Sequence, residues 1–163
     1  MNRTLAEAFR AAGCGVAYAL RTQRNLRIQC AVAAGVLALA LVVDASATEV
    51  ALLAVACGLV LGLELVNTAV EVLVDGLWPQ PSEAARRVKD TSAAAVVLGA
   101  AAAAAAGAVV LGPPLLARLG VPATWVKPTV AAVGALAAAA AAAWRTLRRP
   151  SGPVERPSGP VLK

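Results

Sequence analysis

The sequence predicts an all-α integral membrane protein with an N-terminal surface helix, three core transmembrane helices and a fourth near the C-terminus. Three observations lead there. Of 163 residues, 60% are hydrophobic and only 15% charged, whereas soluble domains carry about 25% charged residues. A chain this short cannot hide that much apolar surface in its own core, so lipid covers part of it. Long apolar runs alternate with short polar stretches, and the basic residues gather at the ends of those runs.

The elements follow in order. At 100° per residue Leu5, Phe9, Ala12, Val16 and Leu20 fall within about 80° of one another, with Arg3, Glu7, Arg10 and Arg21 opposite. This pattern predicts a helix over 4–27 lying in the membrane surface. The same charges interrupt any short apolar run before a cleavage site, so no cleavable signal is expected. Arg21, Arg24 and Arg27 mark entry into the bilayer, and the unbroken apolar run from Cys30 to Val43 forms the body of a first membrane helix, 28–43. Ser46 and Glu49 have capping-box spacing for a second helix, 49–77, which Pro79 and Pro81 end. Ser82 and Glu83 open a third, 83–111, with Gly112-Pro113-Pro114 expected to stop it. Residues 112–149 read as a connector and a fourth membrane helix over 129–147, whose apolar run is Val130 to Trp144. The Pro-Ser-Gly-Pro tail, 150–163, reads as disordered.

Five Arg precede the first span, Arg86, Arg87 and Lys89 follow the second, and five basic residues follow Trp144. Between the other spans stand only Arg118 and Lys127. The positive-inside rule therefore places both termini in the cytoplasm, which four spans satisfy. The net charge of +6 does not indicate nucleic acid, because aromatics are only 3% and the basic residues form no single stripe. Histidine is absent, which excludes a histidine base or imidazole metal site. Cys14, Cys30 and Cys57 have no ligand spacing and read as small buried or lipid-facing residues.

The chemistry concentrates in the second helix. Glu64, Asn67, Glu71 and Asp75 are spaced by three, four and four residues, which puts them on one stripe about 80° wide. A carboxylate deep in a membrane helix costs about 2.5–3.5 kcal/mol even on lenient insertion scales. The stripe therefore requires a polar cavity, a metal ion or a partner helix. Arg86, Arg87, Lys89 and Asp90 open the third helix just after the Pro-containing loop and can fold back on it. Acidic and basic groups together at a membrane edge suit metal-bound phosphate: carboxylates hold Mg²⁺, and a Lys neutralises charge as a phosphoryl group moves. The alternative is structural, with Glu64 or Glu71 paired to Lys89 or Arg87 to lock helices. No Walker-type loop or protein-kinase signature is present. Gly58 and Gly62 form a Gly-x-x-x-Gly and read as a close helix contact.

The segments Glu64-Leu-Val-Asn67-Thr-Ala-Val-Glu71-Val-Leu-Val-Asp75 and Ala85-Arg-Arg-Val-Lys89-Asp90 resemble the signature of the prokaryotic diacylglycerol kinase family, which includes undecaprenol kinases. Arg21-Thr-Gln-Arg-Asn25 resembles that family's Arg-Thr-Glu-Arg-Asn segment, and the likeness runs from about Phe9 to Ala108. The resemblance implies three membrane helices and a surface helix per subunit, trimers with shared sites, a bacterial inner-membrane location, and transfer of phosphate from ATP with Mg²⁺ to a membrane lipid alcohol. It implies Glu64 as base toward the lipid hydroxyl and Glu71 as metal ligand. Asn67, Lys89 and Asp90 would organise nucleotide and phosphates, and Asp75 and Arg10 would join the nucleotide side. Position 23, a metal-holding Glu in relatives, is Gln23 here, which keeps an oxygen ligand and loses a charge. Position 29, often His or an acid, is Gln29. Competing readings are a relative that binds nucleotide or lipid without turnover, and a small ion or proton carrier using Glu64 and Glu71.

Overall fold

A computed structural model describes residues 4–120, with isolated positions between 124 and 135. Apart from those isolated positions, the expected fourth membrane helix and the tail lie outside the described residues. Within them the chain forms four helices and no strand: α1 (Leu5–Thr22), α2 (Arg24–Val42), α3 (Ala47–Leu77) and α4 (Glu83–Arg118). α2, α3 and α4 have 19, 31 and 36 residues and are apolar enough to cross a membrane. At 1.5 Å per residue they measure about 28, 46 and 54 Å, against a hydrocarbon core of about 30 Å. The chain is an all-α membrane protein, and α3 and α4 are long enough to carry polar residues out of the hydrocarbon.

α1 begins with a capping box. Glu7 N donates to Thr4 Oγ1 at 3.3 Å, and Thr4 N donates to Glu7 Oε2 at 2.9 Å. Its apolar face stays open, with Leu5 80% and Phe9 77% exposed, as suits a helix resting on lipid. α1 stops at Thr22 and does not reach residue 27. Gln23 is extended (φ −99°, ψ 113°), and α2 starts at once. Ala19 and Leu26, on either side of the break, are both buried. Arg27 Nη1 donates to the carbonyls of Leu20 at 3.0 Å and Arg21 at 3.3 Å, covering acceptors that the end of α1 leaves open.

The α2–α3 turn passes through Asp44 at φ 57°. The expected capping box then forms: Glu49 N donates to Ser46 Oγ at 3.3 Å and Ser46 N to Glu49 Oε2 at 2.8 Å. Pro79 and Pro81 follow the end of α3, and Ser82 Oγ caps α4 by accepting from Ala85 N at 3.1 Å.

Gly112-Pro113-Pro114 does not stop the next helix, which continues through both prolines to Arg118. Gly112 has no Cβ to collide with the Pro113 ring, and proline's φ is itself helical. Tertiary contacts hold the last turns. Leu115 packs on a buried cluster of Ala40, Val43, Leu53, Val110 and Leu111. Arg118 Nη2 donates to Val42 O at 2.6 Å and lies 3.6 Å from Asp44 Oδ2.

α4 packs antiparallel along α3, and the close approach is made at Gly99. A Cβ there would stand 2.5 Å from Leu63 Cδ1. The Gly58/Gly62 pair does not play this part, because a Cβ at either position meets nothing within 4 Å. Those glycines face away from α4, on the side of α3 that the chain leaves uncovered. α2 and α4 both pack on α3 and scarcely touch each other, so an apolar groove of about 390 Å³ separates them with α3 as its floor.

Gly99→Val should therefore lower stability by about 1–3 kcal/mol through overpacking against Leu63. Adding Leu63→Ala should recover part of that loss. Unfolding in mixed micelles at rising SDS fraction checks both, and an unchanged midpoint for Gly99→Val would mean that the Leu63 side chain turns aside at no cost.

Candidate active site

The acidic stripe of α3 faces α2 and α4 at the end of the bundle where α2 begins and the α3–α4 loop turns. Glu64 is 3% and Asn67 8% exposed, and both side chains find a partner from a neighbouring helix. Gln23 Nε2 donates to Glu71 Oε2 at 3.3 Å, and Asn67 Nδ2 donates to Glu71 Oε1 at 3.0 Å. Ser92 Oγ lies 2.7 Å from Asn67 Oδ1 and 2.9 Å from Lys89 O, so one hydroxyl proton is shared between two acceptors. A chain of contacts thus runs Gln23, Glu71, Asn67, Ser92, and ties α2, α3 and α4 together.

The amide orientations follow from that chain. Asn67 Oδ1 is engaged by Ser92, so its NH₂ end is fixed toward Glu71. Gln23 has no such second partner, and only its amide can turn to bring an oxygen beside the Glu71 carboxylate. The extended backbone at Gln23 is what aims this side chain into the bundle.

Two turns deeper, about 10 Å along α3, Gln29 Nε2 donates to Glu64 Oε2 at 3.3 Å. Gln29 Oε1 is buried and has no hydrogen-bond partner, a deficit worth about 1–3 kcal/mol. Thr68 Oγ1 returns a hydrogen bond to Glu64 O at 2.9 Å, which leaves its own side chain locally satisfied.

On the exposed side Lys89 Nζ forms an ion pair with Asp75 Oδ1, their side chains 36% and 67% exposed. Such a pair contributes about 0–1 kcal/mol, so a phosphate can displace Asp75 from Lys89 at little cost. Arg87 and Arg86 both engage Glu83, at 3.0 and 2.9 Å, and Arg86 Nη1 lies 3.7 Å from Asp90 Oδ2. Neither Glu64 nor Glu71 is paired with Lys89 or Arg87 among the described residues. Those acids are therefore not ion-pair locks among the described residues.

Of the residues singled out from the sequence, Gln23, Asn67 and Glu71 meet directly, Lys89 and Asp75 flank them, and Asp90 follows Lys89 on α4. Glu64 stands apart with Gln29. Arg10 is exposed on α1 and makes no hydrogen bond or ion pair among the described residues. Ser92 was not anticipated. Its signal was available: it lies three residues past Lys89, on the same face of a helix otherwise almost free of polar side chains beyond it. The bond from Gln29 to Glu64 had no sequence signal, because it joins different helices 35 residues apart.

The donors around Glu71 are hard oxygens, its carboxylate and the Gln23 amide once turned, with Asn67 Nδ2 steadying the carboxylate. No group of three or more Asp, Glu, His or Cys side chains converges among the described residues. That set fits Mg²⁺, which commonly takes one or two carboxylates and completes its shell with phosphate oxygens and water. It does not fit a metal caged by protein alone.

The model of a family described as prokaryotic diacylglycerol kinase matches residues 10–111. A diacylglycerol kinase of Synechocystis sp. is 44% identical over 112 residues, which cover 68% of this chain and 64% of that protein. The chain thus spans just under two thirds of that relative's length. The matched region holds α2, α3, the site residues and most of α4, and the chain belongs to the prokaryotic diacylglycerol kinase family.

Proposed function

We propose that the protein is a lipid kinase that transfers the γ-phosphoryl group of ATP, with Mg²⁺, to the hydroxyl of a membrane lipid alcohol at the cytoplasmic face. The observation that carries the reading is the Gln23–Glu71–Asn67–Ser92 chain beside the Lys89–Asp75 pair, with the buried Glu64 about 10 Å deeper on the same stripe. Phosphate would enter from water at Lys89 and the alcohol from lipid at Glu64. The basic residues near α1, α2 and the start of α4 support a cytoplasmic site with both termini on that side, in the inner membrane of a bacterium. Family membership supports a trimer.

Glu64 accepts the proton of the lipid hydroxyl as the oxygen attacks the γ-phosphorus. Lys89 leaves Asp75 to neutralise phosphate charge, and Asp90 and Arg10 extend the nucleotide side. Asn67, held by Ser92, fixes the Glu71 carboxylate. Glu71 with Gln23 would hold Mg²⁺, which would supply neutralisation of phosphate charge. Positioning and electrostatics carry most of the rate in such transfers. Undecaprenol is slightly preferred over diacylglycerol as acceptor, because Arg21-Thr-Gln-Arg-Asn25 lies closer to the undecaprenol-kinase pattern.

The test is transfer from labelled ATP with Mg²⁺ to undecaprenol and to diacylglycerol in mixed micelles. Product is expected on at least one lipid. Glu71→Gln should cut the rate by about 10²–10³-fold, and Glu64→Gln by about 10²–10⁴-fold. A folded preparation that phosphorylates neither lipid excludes the kinase reading.

Gln23 favours a second reading, a relative that binds without turning over. Gln23→Glu restores the charge and should lower the Mg²⁺ concentration for half-maximal activity by roughly 10–100-fold, with turnover already measurable in the unmodified chain. Activity that arises only in Gln23→Glu would instead establish the non-catalytic relative.

A further inference from the structure

The outer side of α4 changes character along its length. Over the first half, the face turned away from α3 is open: Ala94, Leu98 and Ala101 are exposed, Leu98 to 68%. Further on, at similar angles about the helix axis, Ala105, Ala108, Gly112 and Leu116 are half-buried. Their spacing of three, four and four residues puts them on one stripe about 80° wide. It runs about 16 Å at 1.5 Å per residue, and Val109, 53% exposed, marks its edge.

No other described helix accounts for this cover. α3 lies on the opposite side of α4, where Gly99 meets Leu63. α2 approaches across the groove, beside Ala100, Ala104 and Gly107, and α1 does not come close to α4. What remains is the chain that follows. Arg118 is held by Val42 O and Asp44, and Gly120, at φ 70°, turns the backbone with its N–H bonded to Ala117 O at 3.1 Å. Residues 121–128 span at most about 27 Å when fully extended, and connections this short join antiparallel neighbours.

Beyond that connection Ala131, Gly134 and Ala135 are helical and exposed, so one face of the next helix points away from the bundle. The opposite face carries Thr129, Val133, Leu136 and Ala140, within about 60° of one another. Counted in opposite directions from the turn, these fall beside Leu116, Gly112, Ala108 and Ala105 in that order. The larger side chains, Val133 and Leu136, thus come opposite the small residues Gly112 and Ala108. Small residues are what let helices approach closely in a membrane.

We infer that the C-terminal apolar segment forms a fourth membrane helix packed antiparallel on the outer side of α4, with Val133 seated on Gly112 and Leu136 on Ala108. The contact ends near Ala105, since Ala101 and Leu98 are open, so the two helices part toward Trp144 as crossing helices do. The family match ends at residue 111, and this helix therefore adds a wall outside the shared domain. It also returns the five basic residues after Trp144 to the side of the membrane where α1 lies. The inference is independent of the kinase reading.

Disulfide formation in the full chain, in liposomes, tests the packing. In a Cys14→Ser/Cys30→Ser/Cys57→Ser background, Ala108→Cys/Leu136→Cys and Ala105→Cys/Ala140→Cys place thiols on facing positions. Ala108→Cys/Ala135→Cys turns one thiol toward lipid. Mild oxidation should close both facing pairs within one chain, about tenfold or more faster than the third pair, because the bond needs Cα atoms within about 7 Å. Failure of both facing pairs overturns the inference, and so does an equal rate for the third. Bonds formed only between copies, seen as a band of doubled mass, assign the stripe to a second copy and overturn it too. Single thiols give a reading that needs no pair: Ala101→Cys should react with a lipid-soluble maleimide about tenfold faster than Ala108→Cys, as access controls thiol modification. Equal rates mean that the stripe is open to lipid, and the inference falls.

Discussion

Polar side chains cannot be left unmet where water is scarce, and that constraint organises the whole described region. Glu64, Asn67 and Thr68 are the buried polar residues of the bundle, all on α3, and none could sit in hydrocarbon alone. α2 answers with Gln23 and Gln29, and α4 with Ser92. The helices therefore meet in one register only, because a slip of one residue would turn these partners toward lipid. The apolar contacts between the same helices are permissive by comparison, since Leu or Val packs as well against a lipid tail as against another helix.

This division gives the bundle two unlike ends. At one, amides, carboxylates and a lysine form a network open to the membrane surface. At the other, Ala40, Val43, Leu53, Val110 and Leu111 make a dry cluster clasped by Arg118 and Asp44. α2 and α4 lie on opposite flanks of α3 and stay apart between the two ends, which produces the groove. A site at a polar end with an apolar channel beneath it suits a reaction whose two substrates come from different solvents.

The two departures from the family pattern take on a common meaning in this setting. Gln23 and Gln29 each place a neutral amide against a carboxylate, Glu71 in one case and Glu64 in the other. An amide can donate to a carboxylate without adding like charge, so both pairs are stable without a metal or a counter-cation. The cost is a weaker hold on any cation, because a turned amide offers one neutral oxygen where a carboxylate offers charge. Ser92 supports the same network from the far side, as its hold on Asn67 leaves that amide no choice of direction.

The sequence by itself determined the membrane class, the three long spans among the described residues, the capped starts at Ser46 and Ser82, and the stripe of Glu64, Asn67, Glu71 and Asp75. These are local properties: hydropathy, helical period and cap chemistry act within a few residues and need no neighbour to express them. Tertiary structure decided the rest. The break at Gln23 turns its side chain to Glu71 across 48 residues of sequence, and α4 outlasts its prolines because Leu115 and Arg118 are held at the far end. The close contact falls at Gly99 and not at Gly58 and Gly62 because Leu63 lies opposite it. Which amide meets which carboxylate was likewise out of reach, since those pairs join helices 48 and 35 residues apart. A pattern read along one helix shows which face is polar, and only the packing of the other helices shows what that face meets.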